Sequence, residues 1–305
     1  MCGLTGSLLT RNLTTQEEAK RQGVQQGLLV AMQARGSHST GVCSIKNGIP
    51  KIYKNTQEAI DFIGTRQYNE TLKDSPEIIM GHTRFATQGK ITNRNAHPFD
   101  IDNIIGTHNG IIYNTDETLR KAKHEVDSEL IFHAINNEKN LQKAIDRING
   151  SIAIAWIDKR KPSELNLFTD GSNSLYVAYV QEIKAYFYAS TIEPLEMILP
   201  SYFPSKTDIK TVGDNSHLII NTRGEIKEKT LEDNYNYYDT ETKEALYQSK
   251  EAKYPCELCG TFFDYNTMLY CERDDYLLCS LCSLDYKKQD LVSIVDYNAR
   301  FKIDY

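Results

Sequence analysis

The sequence lacks several things that would set a class for it at once. No apolar run in its 305 residues approaches the roughly 20 that a membrane-spanning helix needs. No basic segment followed by a long apolar core and a small-residue cleavage site stands at the N-terminus, so no secretory signal is expected. Positive charge is not in excess: 35 Lys and Arg against 41 Asp and Glu give a net charge of −6, which offers no electrostatic attraction to nucleic acid or to an anionic membrane. Internal repeats and low-complexity tracts are absent, which sets aside solenoids and arrays. Tryptophan occurs once. Cysteine is also sparse for most of the length. Five of the seven (2, 43, 256, 259, 271, 279 and 282) fall in the last fifth, and an odd, clustered set without a leader argues for metal binding and against a disulfide framework. What is present is ordinary: 40% hydrophobic and 25% charged residues, enough for a soluble core. The expected location is the cytoplasm.

Met1-Cys2-Gly3-Leu4-Thr5-Gly6 opens the chain. A methionine before a small residue is a substrate for removal, and its loss would leave Cys2 with a thiol and a free α-amine on one residue. Such an amine has a reference pKa of about 7.7–8.0, so near neutrality it can take the thiol proton and return it. Cys2 would then be a nucleophile with its own base. Alone, the dipeptide is a weak signal that more often marks an ordinary thiol.

Residues 3–9 read as a strand, and 17–34 as a helix with Val24, Leu28, Leu29, Ala31 and Met32 near one face. Strands are expected at 42–45 and 51–54, a short helix at 56–64, and a buried strand at 78–84. The stretch 85–98, with Gly89, several asparagines and Ala96-His97-Pro98, reads as a substrate-holding loop or lid. Asn109-Gly110, between two apolar β-branched pairs, reads as a hairpin turn. Asp127 is placed to cap a helix, and a second helix over 141–148 is expected to end at Asn149-Gly150. Strands at 151–157, 164–169, 175–180 and 185–190, a helix at 191–199, and strands at 217–221 and 225–229 complete the order. Strand, helix, many strands, two helices, many strands suits an α+β sandwich with helices covering two sheets, and not a doubly wound parallel fold.

Cys2-Gly3, Arg35-Gly36 with Ser39-Thr40-Gly41, Gly81-His82-Thr83-Arg84-Phe85-Ala86-Thr87, Asn95-Ala96-His97-Pro98, His108-Asn109-Gly110 and Asp127-Ser128-Glu129 occur in one order. Over residues 2–230 this closely resembles the class II, or N-terminal nucleophile (Ntn), glutamine amidotransferase domain. The resemblance implies the four-layer αββα Ntn-hydrolase sandwich. It implies that Cys2 attacks the side-chain amide of L-glutamine, releases ammonia and leaves a glutamyl thioester for water. It also implies that the Asn109 amide and the Gly110 N–H hold the oxyanion, that Arg84 binds the substrate α-carboxylate, that Thr87 helps hold the glutamine, and that Asp127 takes the α-ammonium. A fixed bidentate cation suits the carboxylate better as arginine than as lysine, and an oxyanion needs donors already in place. His82, His97 and His108 fall to structural or loop-ordering roles. Three residues depart from the pattern: Ser37-His38 stand where Tyr or Gln and then Asp are usual, and Phe85 where Trp or Tyr is usual.

Cys256-x2-Cys259 and Cys279-x2-Cys282 have the spacing of a four-thiolate, zinc-ribbon-like site. A closed site with four cysteine ligands would be structural and non-catalytic, and Cys271 a free thiol or substitute ligand. Residues 256–285 carry six acidic side chains against one arginine, so docking of a protein partner or dimerisation is expected there, and not nucleic acid. The domains expected are 2–230 amidotransferase, 231–253 linker and 254–305 zinc-binding module. With about 75 residues after position 230 and no phosphate-binding glycine loop among them, the function expected is a stand-alone glutaminase subunit supplying ammonia to a separate acceptor synthase. Two alternatives stay open. One is an Ntn amidohydrolase on another γ-glutamyl or acyl amide; the other is a non-catalytic zinc-dependent scaffold.

Overall fold

A computed structural model describes residues 2–115, 124–205, 207–232, 253–255, 262–264, 268–271, 276–278 and 291–293, and it divides into two units, 1–232 and 233–305. The first unit is built on two antiparallel sheets. One has seven strands in the order β11-β9-β10-β1-β4-β2-β3, and the other six in the order β13-β12-β8-β7-β6-β5. Those strands are β1 (Gly3–Leu9), β2 (Ser39–Lys46), β3 (Ile49–Asn55), β4 (Ile78–Arg84), β5 (Phe99–Ile101), β6 (Ile104–Thr115), β7 (Ile148–Asp158), β8 (Glu164–Thr169), β9 (Tyr176–Val180), β10 (Ala185–Ala189), β11 (Asp208–Thr211), β12 (Ser216–Asn221) and β13 (Ile226–Thr230).

The alternation of side chains in β1 explains its place. Leu4 and Leu8 point into the layer between the sheets, where they meet Ile78 and Met80 of β4 and, from the second sheet, Ile105, Ala153, Ala155 and Leu167. Leu9 faces the other way, onto a helical layer. That layer holds α1 (Thr15–Met32) and α6 (Ile192–Tyr202), through Val24, Leu28, Leu195 and Leu199. The short helices α2 (Ala59–Phe62) and α3 (Arg66–Thr71) cover the same sheet further along, with Phe62 and Tyr68 against Val42 and Ile79. On the far side, α4 (Ser128–Asn137) and α5 (Leu141–Ile145) pack Ile131, Phe132 and Leu141 onto Ile104, Ile154 and Trp156. Helix, sheet, sheet, helix is therefore the layering of the first unit, as expected.

Several local expectations change. Asn109-Gly110 is not a hairpin turn: both lie inside β6, opposite Ala153 and Ile152 of β7. Asn149-Gly150 does not end a helix; α5 stops at Ile145 and β7 begins at Ile148. Asn-Gly favours tight turns in isolation, but pairing along the long β6–β7 ladder outweighs that preference at both sites. The helix α1 starts two residues before the expected position, at a capping box in which Thr14 accepts from Glu17 N and the Glu17 carboxylate accepts from Thr14 N. The helix α3 and the edge strand β11 carried no apolar signal. Of the α3 sequence only Tyr68 and Thr71 are buried, and β11 exposes three of its four residues.

In the second unit the described residues form β14 (Lys253–Pro255) paired with β15 (Phe262–Asp264), and β16 (Leu269–Cys271) between β17 (Tyr276–Leu278) and β18 (Leu291–Ser293). The expected linker lies outside the described residues for nearly all its length, and so do Cys256, Cys259, Cys279 and Cys282.

Candidate active site

The sheet register decides where Cys2 stands. Because β1 runs antiparallel to β4 with Gly3 opposite Thr83, the residue before β1 falls beside the end of β4. Ser39 at the start of β2 is in turn opposite Arg84. The N-terminal end of β1, the C-terminal end of β4 and the entry to β2 therefore converge. From the facing sheet, β6 brings His108, Asn109 and Gly110 to the same place.

Cys2 is partly exposed and its thiol is free. Its Sγ lies 3.3 Å from Phe85 N, which donates to it, and 3.5 Å from Phe85 O, to which the thiol can donate. Burial pushes the thiol up from its ordinary pKa; the Phe85 N–H and the nearby Arg84 cation pull it back, and Asp127 adds to the rise. The Cys2 carbonyl accepts twice, from Arg35 Nε at 2.7 Å and from Asn109 Nδ2 at 2.8 Å.

The second hydrogen of Asn109 Nδ2 goes to Ser190 Oγ at 2.8 Å, while Asn109 Oδ1 is buried without a partner. Both amide donors are thus engaged. For Asn109 to serve an oxyanion it must release one, and the Cys2 carbonyl can lose it because Arg35 remains. Ser190 also accepts from Leu4 N at 2.7 Å, so it ties the Asn109 side chain to β1. Gly110 has φ +132°, and a Cβ there would sit 1.8 Å from Ser151 O. Glycine is the residue that fits this turn of the backbone inside a strand.

Arg84 is buried at the end of β4, with 2% exposure. Its guanidinium donates to the carbonyls of Gln88 and Lys90 in the following loop. Among the described residues it has no carboxylate in ion-pair contact. Burial lowers its pKa, and Cys2, Asp127 and Glu125 act against that. A buried cation held by neutral carbonyls is suited to receive an anion.

Asp127 is also buried, and Oδ2 accepts from Ile112 N at 2.8 Å. It stands at the cap position of α4, but its side chain makes no capping bond; the expectation that it caps the helix is corrected. Its backbone is already helical there, and the carboxylate is turned to β6. Thr87 lies half-buried in the loop after β4 and makes no hydrogen bond among the described residues.

Three histidines surround the centre, each held neutral by burial. His82 Nε2 bonds His108 O at 3.0 Å, and its pKa is lowered to about 3. His108 Nδ1 meets Ser128 Oγ at 2.8 Å and Nε2 meets Ser151 O at 3.2 Å. His97 packs against His82 with ring centroids 4.0 Å apart, and neither ring nitrogen has a partner. His82 and His108 are thus tied to main-chain carbonyls, whereas His97 is held by ring packing alone. No group of three or more His, Cys, Asp or Glu among the described residues could hold a metal ion.

Sequence reasoning passed over Arg35, Ser190 and Lys54. Arg35 lay in a noted motif without a role, whereas Ser190 carried no signal. Lys54 Nζ donates to the carbonyls of Arg94 (3.1 Å), Ala96 (2.6 Å) and Pro98 (2.9 Å), and so binds the loop to β3.

Residues 82–197 match the model of a glutamine amidotransferase domain family. The chain is 29% identical over 194 residues to a glutamine–fructose-6-phosphate aminotransferase of Buchnera aphidicola, covering 56% of this chain and 29% of that protein. Against the same enzyme of Photorhabdus laumondii it is 25% identical over 258 residues, covering 78% of this chain and 40% of the relative. The chain thus spans between 29% and 40% of the length of these relatives. In fold it is similar to the glutamine phosphoribosylpyrophosphate amidotransferase of B. subtilis, with a TM-score of 0.58, 18% identity, and coverage of 75% of this chain and 49% of the other. Residues 82–197 are thus similar to a glutamine amidotransferase domain, the relatives matched are enzymes that use glutamine, and the two-sheet fold of the first unit is similar to that of the solved amidotransferase.

Proposed function

We propose that the first unit hydrolyses L-glutamine to glutamate and ammonia through a glutamyl thioester on Cys2. The observation that carries this reading is the buried guanidinium of Arg84, free of carboxylate partners among the described residues, beside the Cys2 thiol and with Asp127 in the same neighbourhood. A cation and an anion close to a nucleophile fit the head group of a free amino acid. In the proposed reaction Met1 is removed, and the freed α-amine takes the thiol proton as Sγ bonds to the side-chain amide carbon. The C–N bond then breaks, the proton passes to the leaving nitrogen, and ammonia departs. Water attacks the thioester, glutamate leaves and the thiol is restored. Asn109 and Gly110 are the proposed oxyanion donors, Arg84 the α-carboxylate ligand, Thr87 an auxiliary contact and Asp127 the α-ammonium ligand.

The reading extends to an acceptor synthase in a separate chain that takes the ammonia, and to a cytoplasmic setting in which the thiol stays reduced. It also assigns one structural zinc to Cys256, Cys259, Cys279 and Cys282, supported by their paired spacing. Among the described residues no helix is long and apolar enough to cross a membrane. The test is release of glutamate and ammonia from L-glutamine by the purified full chain, compared with Cys2→Ala. Equal, catalytic release of both products that is lost in Cys2→Ala supports the reading. No release from glutamine alone or with added acceptor candidates, but turnover of another γ-glutamyl amide, overturns it.

A further inference from the structure

Of the three residues that depart from the family pattern, His38 and Phe85 touch each other. Their rings stack with centroids 4.7 Å apart and planes inclined by 27°. This contact sits on the segment that meets the nucleophile. Phe85 supplies both hydrogen bonds of the Cys2 sulfur: its carbonyl can accept from the thiol, and its N–H donates to the sulfur, a bond that strengthens when the thiol becomes a thiolate.

Phe85 lies just past the last paired residue of β4, so the sheet does not hold its peptide. His38 does, from both sides. Its N–H donates to Arg84 O at 3.0 Å, and its Nδ1 accepts from Ala86 N at 2.9 Å. With Nδ1 as acceptor, the ring proton sits on Nε2. Gly36 permits the close crossing, since a Cβ there would lie 2.4 Å from Phe85 N.

We propose that His38 is a positioning residue for the nucleophile: its N–H holds the Arg84–Phe85 peptide and its Nδ1 holds the Phe85–Ala86 peptide, so that Phe85 is pinned on both sides with its N–H pointing at Cys2 Sγ. An aspartate, usual at this position, offers a charged acceptor and no ring for Phe85 to stack on. The kinetic arm of the test rests on the glutaminase reading, whereas the alkylation arm does not.

Two variants of the full chain separate acceptor from ring. His38→Phe keeps a ring against Phe85 and removes the acceptor; His38→Asn keeps an acceptor near the Nδ1 position and removes the ring. The rate of Cys2 alkylation by iodoacetamide is followed against pH by peptide mass spectrometry, beside kcat and KM for glutamine and the melting temperature. His38→Phe is expected to need a pH about one unit higher for half-maximal alkylation and to lose roughly 10-fold in kcat, with KM changed by less than about 3-fold. His38→Asn is expected to stay within about 3-fold of the parent in both rates. A folded His38→Phe that alkylates along the parent's pH profile overturns the proposal, as does His38→Asn falling as far as His38→Phe. If His38→Phe does not fold, His38→Leu, which also lacks the acceptor, carries the same two outcomes. Should the parent fail to hydrolyse glutamine while the alkylation shift appears, the glutaminase reading fails and the role of His38 stands.

Discussion

Arg84 and Gly110 show how closely individual side chains are constrained here. The Arg84 guanidinium already spends hydrogen bonds on Gln88 and Lys90 carbonyls and has further donors in a planar fork. Lysine would keep the charge but not both tasks. Arg84→Lys is therefore expected to raise KM for glutamine roughly 10- to 100-fold, with a smaller effect on kcat, read from initial rates of glutamate release. At Gly110 any side chain meets Ser151 O and must also adopt a backbone angle of +132°. Gly110→Ala is expected to destabilise the first unit by about 2–4 kcal/mol in urea unfolding. An unchanged midpoint would show that the strand can shift. The motifs exposed these positions because each carries an unusual residue type. Ser190 was not legible, since a serine after a β-run says nothing of the Asn109 amide that it will meet from the other sheet.

The loop over 85–98 is where an element was recognised but its construction was not. Its glycine, asparagines and proline marked it as irregular, yet nothing in the local pattern pointed to Lys54, more than 30 residues earlier, as its anchor. Lys54 bonds three of its carbonyls and also lies 4.9 Å from the Phe99 ring centroid. Arg84 holds the same loop from within, and Asn93 Oδ1 accepts from Thr56 N at 3.1 Å. Lys54→Met is expected to raise KM for glutamine roughly 3- to 10-fold and to speed amide exchange over 92–98, with kcat little changed. Strands were read well where apolar residues run together, as in β1 and β4, which are buried on both faces. Asn109-Gly110 carries a strong local turn preference, but the apolar residues on either side of it belong to one strand.

At the scale of the whole molecule, the layering follows from β-strands and amphipathic helices whose order alone suggests a two-sheet sandwich. What the sequence did not disclose is the load of buried neutral histidine. Burial lowers the pKa of His82 to about 3 and of His217 to about 4, and lowers His97 and His108 as well. In the unfolded chain each titrates near 6.5. Below that pH the unfolded state binds more protons than the folded one, so stability must fall as pH drops from 6.5 toward 4. Each such group contributes a slope approaching about 1.4 kcal/mol per pH unit. Urea midpoints measured at pH 7, 6 and 5 should fall steadily; a flat profile would contradict the buried neutral assignment. In the second unit, native mass spectrometry should find one zinc per chain, lost in a Cys256→Ser, Cys279→Ser double variant with the first unit still folded.

The most direct measurement for the central claim is intact mass before and after treatment with a glutamine-like diazo-ketone. Loss of Met1 and a single adduct located on Cys2, suppressed by excess L-glutamine and absent in Cys2→Ala, is the result expected. A retained Met1, or a processed Cys2 that stays unlabelled while iodoacetamide still modifies it, would contradict a glutamine-shaped site around an N-terminal nucleophile.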